Sequence, residues 1–163
     1  MIACPRTPSG PTQSRTRRRR GCGHRAFYWD KLDAWYDEGE RVHSGLRDPF
    51  HRVDVRLGRA RIAVSVGGET IAESTRPMIL SETGLPNRLY LPREDIRKSA
   101  LTASSTTAHC PYKGEAGYWS INAGDDTLED AAWTYAEPFD DAIRVAGMVC
   151  FLHDGLTVEV IAE

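Results

Sequence analysis

The sequence predicts a mostly β fold, a sandwich or small barrel-like arrangement with two or three short helices. Three observations carry this. From residue 60 onward, short segments alternate apolar and polar side chains; turns rich in Gly, Pro and Asn separate them; and helical spacing never persists beyond a turn or two. At 163 residues the chain can bury one modest core. Its apolar fraction of 40% and charged fraction of 27% are those of a globular protein. No run approaches the roughly 18 apolar residues of a membrane-spanning helix, so no membrane role is expected and the cytoplasm is the expected location.

Residues 1–25 are a basic tail. They hold seven arginines and no acid, leaving 14 basic against 23 acidic side chains in residues 26–163, so the net charge of -2 hides a basic tail on an acidic body. Rich in Pro, Ser, Thr, Gly and Arg, the tail buries too little to offset its ordering entropy and is expected to be disordered. Its readings are a nucleic-acid arm, an organelle transit segment, a solvated tail or a misassigned start. The acidic body argues against nucleic-acid binding outside this tail.

Residues 26–52 follow as a short helix and an extended connector. In FYWDKLDAWYDEGERV, Trp29, Leu32 and Trp35 or Tyr36 recur at three-to-four spacing, one apolar stripe that Gly39 ends. Pro49 keeps RDPFHRVDV extended.

Residues 53–163 are the β-rich domain. RIAVSV and ETIAES form a hairpin around Gly67-Gly68, and RPMILSETG and NRLYLP give two more strands. REDIRKSAL is a helical turn or two. AHCPYK and GYWSIN pair around Gly114-Glu115-Ala116-Gly117, and TLEDAAWTYAEP is a strand ending at Pro138. FDDAIRVAG is a short helix, and MVCFLHDGLTVEVIAE is a closing hairpin across Asp154-Gly155. Cysteines at 4, 22, 110 and 150 form no C-x-x-C pair, so reduced thiols are expected, with no disulfide framework, metal or cofactor.

RVDVRLGRARIAVSVGGETIAESTRPMILSETGLPNRLYLPREDI, SSTTAHCPYKGEAGYWSI, AAWTYAEP and VAGMVCFLHDGLTVEV resemble the family known as domain of unknown function 427, over about residues 53 to 161. WYDEGERVHSGLRDPFHRVDV resembles the connector before the second copy in two-copy members. The resemblance implies a compact antiparallel β-tent-like domain. Zinc, which related tents hold through paired cysteines, does not carry over to a chain lacking such pairs. Some catalogues label the family nucleotidyltransferase-like. The stripe of Trp29, Leu32, Trp35 and Tyr36 would lie where a first copy packs, which implies a homodimer through these residues.

Nucleotidyl transfer needs carboxylates on Mg²⁺ and a glycine-rich phosphate cradle. Here Gly67-Gly68 reads as a hairpin, and Asp125-Asp126 and Asp140-Asp141 are adjacent pairs pointing differently. Asp140 reads as a helix cap.

The densest chemistry is TTAHCPYKGEAGYWS. In an extended strand Cys110 and Tyr112 share one face, and His109 and Lys113 the other, unless Pro111 bends it. Cys110 is either a buried thiol or a nucleophile activated by a nearby cation. Lys113, one of three lysines among 21 basic residues, is either a solvated hairpin residue or the partner of an anion or carbonyl compound. Arg76 and Glu82 flank the apolar MIL, as a buried pair or a solvated one. The resulting expectation is a small polar cleft with Cys110 and Lys113 as its reactive groups. Arg76, Glu82, Tyr90, His109, Tyr112, Tyr118, Trp119 and Trp133 would line it, and a small anionic or carbonyl-containing molecule would be its ligand. The alternative is a protein-interaction or scaffold module in which the same residues serve packing.

Overall fold

A computed structural model describes residues 2–5, 28, 31–42, 47–124 and 126–161. The chain divides into two units, Met1–Leu46 and Arg47–Glu163.

The first unit contains a three-stranded antiparallel sheet of β1 (Ile2–Pro5), β2 (Leu32–Asp37) and β3 (Glu40–Val42), in the order β1-β2-β3. This corrects two expectations. Ile2–Pro5 is a strand within the tail read as disordered, and the segment read as a short helix is β2. Trp and Tyr fit a pleated surface at least as well as a helix. Pairing on both sides, Trp35 facing Ala3 and Val42, decides the matter. As a strand, β2 puts Leu32 and Tyr36 on one face and Trp35 on the other, so the apolar stripe divides. Trp29 and the arginine run at 17–20 lie outside the described residues.

The second unit is mostly β, as expected. Gly67 and Gly68 both take positive φ (55° and 87°), so a two-residue turn with left-handed central residues joins β5 (Arg61–Val66) to β6 (Glu69–Ser74). Six further strands follow: β7 (Met78–Glu82), β8 (Arg88–Leu91), β9 (Leu101–Cys110), β10 (Gly114–Ala123), β11 (Asp126–Tyr135) and β12 (Val149–Phe151). With β4 (Val53–Leu57) they make a seven-stranded antiparallel sheet of order β4-β7-β8-β12-β11-β10-β9. A three-stranded sheet has the order β13-β5-β6, where β13 is Leu156–Ile161. Neither sheet closes into a barrel.

Strands β8, β10, β11 and β12 of the larger sheet contribute side chains to two cores, one on each face. Leu91, Ile121, Val149 and Phe151 meet Ile62, Val64, Val66 and Ile71 of the smaller sheet. Tyr90, Ala116, Tyr135 and Cys150 face the other way with Val53, Met78 and Leu80, joined by Ala142 and Val145. The last two come from a 3₁₀ segment, Asp140–Val145. Its N-cap is Phe139, and no side chain caps it, so the capping role expected of Asp140 does not hold.

Two turn assignments also change. The second hairpin turns at Pro111–Lys113, three residues before the glycines expected to carry it, because β9 ends at Cys110 and β10 begins at Gly114. The final segment is no hairpin. β12 pairs with β8 and β11, and β13 crosses to β5, so Asp154-Gly155 joins two sheets. Among the described residues, no helix is long and apolar enough to cross a membrane.

Candidate functional site

Met78, Leu80 and Glu82 occupy alternate positions of β7 and so share its face. The first two enter the second core, and the third brings a carboxylate to the end of that face. Glu82 stands opposite Val53 in the β4–β7 register, and the backbone pairing continues past it, with Thr83 N–H donating to Arg52 O at 3.0 Å. This holds His51, just before β4, against the carboxylate: Nε2 lies 2.9 Å from Glu82 Oε1.

Lys113 arrives from the other end of the sheet. A tight turn, closed by Lys113 N–H on Cys110 O, ends the strand alternation at Cys110 and swings Lys113 inward. Its ammonium donates to Glu82 Oε2. The Lys113 and Glu82 side chains are only 10% and 8% exposed, so this is a buried ion pair and not a solvated hairpin lysine. Gly114 makes the approach possible. Its φ is +98°, and a Cβ there would meet Glu137 O at 3.3 Å. Phe139 N–H, donating to Lys113 O at 3.1 Å, pins the same turn.

Tyr112 completes the wall. Its ring stacks on His51 with centroids 4.0 Å apart, and its hydroxyl accepts from Asp48 N–H at 2.7 Å. Arg47 Nε donates to Pro111 O at 2.7 Å. Four contacts therefore bind residues 47–51 to the hairpin turn and to Glu82 of β7.

Electrostatics follow from this packing. Burial pushes the Glu82 carboxyl up, but hydrogen bonds and charge from Lys113 and His51 outweigh it and hold the group below the ordinary carboxylate value. Burial raises the Tyr135 phenol, with Cys110 and Glu82 adding to the effect. Burial also raises Tyr90, and it pushes the Cys150 thiol up to about 12. A carboxylate that accepts from an ammonium and an imidazole at once has the form of an acid–base relay.

The other expected residues separate into groups. Tyr118 and Trp133 are half-buried on the face that carries Glu82, rings 6.3 Å apart, and Trp133 Nε1 donates to Tyr90 OH at 3.0 Å. Tyr90 itself is 1% exposed, a core residue behind that face. Cys110 is half-buried at the end of β9. His109 is exposed, edge-on to Phe139. Trp119 lies on the opposite face, packed against the first core with Arg93 4.1 Å above its ring. Arg76 does not join Glu82. It is exposed and pairs with Glu94 and Asp95.

His51 went unrecognised, because a lone histidine in an extended connector carries no local signal. Among the described residues, no group of three His, Cys, Asp or Glu side chains is placed to hold a metal ion. An apolar cleft of about 200 Å³, lined by Ile62, Val64, Leu89, Leu91, Phe151 and Val158 among others, shares no residue with the Glu82–Lys113 cluster.

No curated protein matches the chain. A family model described as a domain of unknown function (DUF427) matches residues 54–162, which include Glu82, Lys113 and the aromatic face, though not His51. The chain belongs to that family.

Proposed function

We propose that the second unit binds a small molecule bearing a carbonyl or carboxylate oxygen, with Lys113 as its donor and Tyr118 and Trp133 as its apolar contact. The observation that carries this reading is the buried Lys113–Glu82–His51 relay at the end of a half-buried aromatic face. An ammonium has three donors and Glu82 takes one of them, so a ligand oxygen would be bound through the others. A free anion must compete with Glu82 for Lys113, which favours a neutral carbonyl group over a charged one. Cys110, half-buried beside the Tyr135 phenol, is the candidate nucleophile at this site.

A second reading has its own support. The contacts of Arg47, Asp48 and His51 with residues 82 and 111–112 fasten a connector to the domain, as a scaffold module requires. Nucleotidyl transfer draws no such support, since Asp140 and Asp141 are exposed at the start of a 3₁₀ segment.

Ligand-observed NMR against a library of small carbonyl and carboxylate compounds separates the two main readings. The double variant Glu82→Leu/Lys113→Met removes both charges while keeping apolar volume, and it should fold, which its circular dichroism checks. Binding by the wild type that vanishes in this variant is the expected result. No hits, or hits that persist in the variant, would leave the scaffold reading in place.

A further inference from the structure

In the second unit four strands lie at sheet edges, and three of them are guarded. On β4, Arg144 Nη1 donates to Val55 O at 2.7 Å. On β6, Ile96 bridges to Ala72, and Arg97 N–H donates to Ile71 O at 2.9 Å. On β9, the register breaks, Thr106 N–H turns onto Ser104 Oγ at 3.1 Å, and the Thr106 hydroxyl donates to Asp130 at 2.7 Å. Side-chain capping, coverage and bulging are the usual ways to stop a sheet from adding strands.

β13 has none of these among the described residues. Leu156–Ile161 pairs with β5 in six consecutive steps without a shift, and LTVEVI contains neither proline nor lysine. Its inner face is also incomplete. Val158 and Val160 stand opposite Val64 and Ile62, which are 1% exposed in the core, yet they are themselves 39% and 62% exposed. Val158 lines the apolar cleft, as does Leu152, which is 53% exposed.

We propose that β13 is a self-association edge whose occupant is β13 of a second copy of this chain. The strand's own sequence selects that partner and the register. With Val158 on the two-fold axis, antiparallel pairing puts Val158 opposite Val158 and Val160 opposite Leu156. Glu159 then faces Thr157, so apolar meets apolar and no like charges oppose. Centring on Glu159 would oppose two carboxylates. The product is a continuous six-stranded sheet across two chains. The second copy's Val158 and Val160 cover the mouth of the cleft.

The test is the molar mass of the full chain by light scattering over a wide concentration range, beside Val160→Lys. That position is exposed enough to take lysine without loss of fold. Dimer for the wild type and monomer for the variant is the expected result. A wild type that stays monomeric, or a Val160→Lys protein that stays dimeric, overturns the proposal. Loss of the dimer on Trp35→Lys with Val160→Lys unaffected would assign association to the first unit and overturn it too. In a background lacking Cys4, Cys22, Cys110 and Cys150, Val158→Cys should form an intermolecular disulfide and Val160→Cys should not, because only residue 158 meets its own copy. The reverse pattern overturns the register.

Discussion

The two faces of the seven-stranded sheet share strands β8, β10, β11 and β12 and differ in chemistry. One face meets the three-stranded sheet with Leu, Ile, Val, Ala and Phe side chains. The other carries two buried tyrosines, a buried thiol, half-buried Tyr118 and Trp133, and at its end an ion pair. Leu91 and Tyr90 are neighbours in β8, and so are Val149 and Cys150 in β12, yet each pair divides between the faces. An apolar face gains from every methylene it buries, and a polar atom there costs free energy unless matched, as the buried, unpartnered Trp119 Nε1 does. A polar face must be satisfied group by group, as Trp133 Nε1 on Tyr90 OH and Lys113 on Glu82 show. Both faces bury apolar side chains, and the second also carries a buried ion pair.

The sharpest way to break this contrast is to orphan one charge. Glu82→Leu alone leaves the Lys113 ammonium buried without its partner and should cost about 3–5 kcal/mol. Urea denaturation measures this, and adding Lys113→Met should recover most of the loss. On the apolar face, Ile62→Ala should cost about 2–4 kcal/mol through lost burial and a residual cavity, and no second substitution on the polar face should restore it. Trp133→Phe deletes one neutral hydrogen bond and should cost about 1 kcal/mol while changing the indole fluorescence. Arg61→Ala, which breaks a half-exposed pair with Glu73, should stay within about 0.5 kcal/mol.

pH sharpens the same comparison. The folded Glu82 carboxyl lies below its ordinary value, so the unfolded chain binds its proton first as pH falls. The stabilisation is complete above the unfolded value of 4.5 and is lost as pH drops through the lower folded one. The slope of stability against pH in this acid range should flatten in Glu82→Leu/Lys113→Met and persist in Ile62→Ala. Cys150 behaves inversely. Its thiol is raised to about 12 from 9.0, so its contribution fades as pH climbs through that interval. Alkylation at neutral pH should label Cys110 in the folded protein and Cys150 only after unfolding.

Much of the second unit was legible because its signals are local. The Gly67-Gly68 turn, the alternation of β5 and β6 and the breaks at Pro92 and Pro138 each speak through a few adjacent residues. Glu82 was recognised from the pattern around it, and Lys113 from its rarity. Trp119 and Arg76 were grouped with them because both stand in conspicuous motifs. Sequence proximity carries no information about which face a strand presents after a bulge, and β10 loses register between Gly117 and Trp119. The helix expected at Leu32–Tyr36 failed for a related reason, since its spacing is compatible with a strand once partners exist on both sides.

By itself, then, the sequence determined the β class, most strand positions and the family, because period-two alternation and turn residues act over a few positions. Only the tertiary structure decided that a turn at Pro111–Lys113 swings Lys113 onto Glu82, that His51 from 31 residues upstream meets the other oxygen of that carboxylate, and that β13 crosses to a second sheet. Those outcomes depend on pairings between distant segments. Their free energy comes from desolvation and register, and neither leaves a mark in any short stretch of chain.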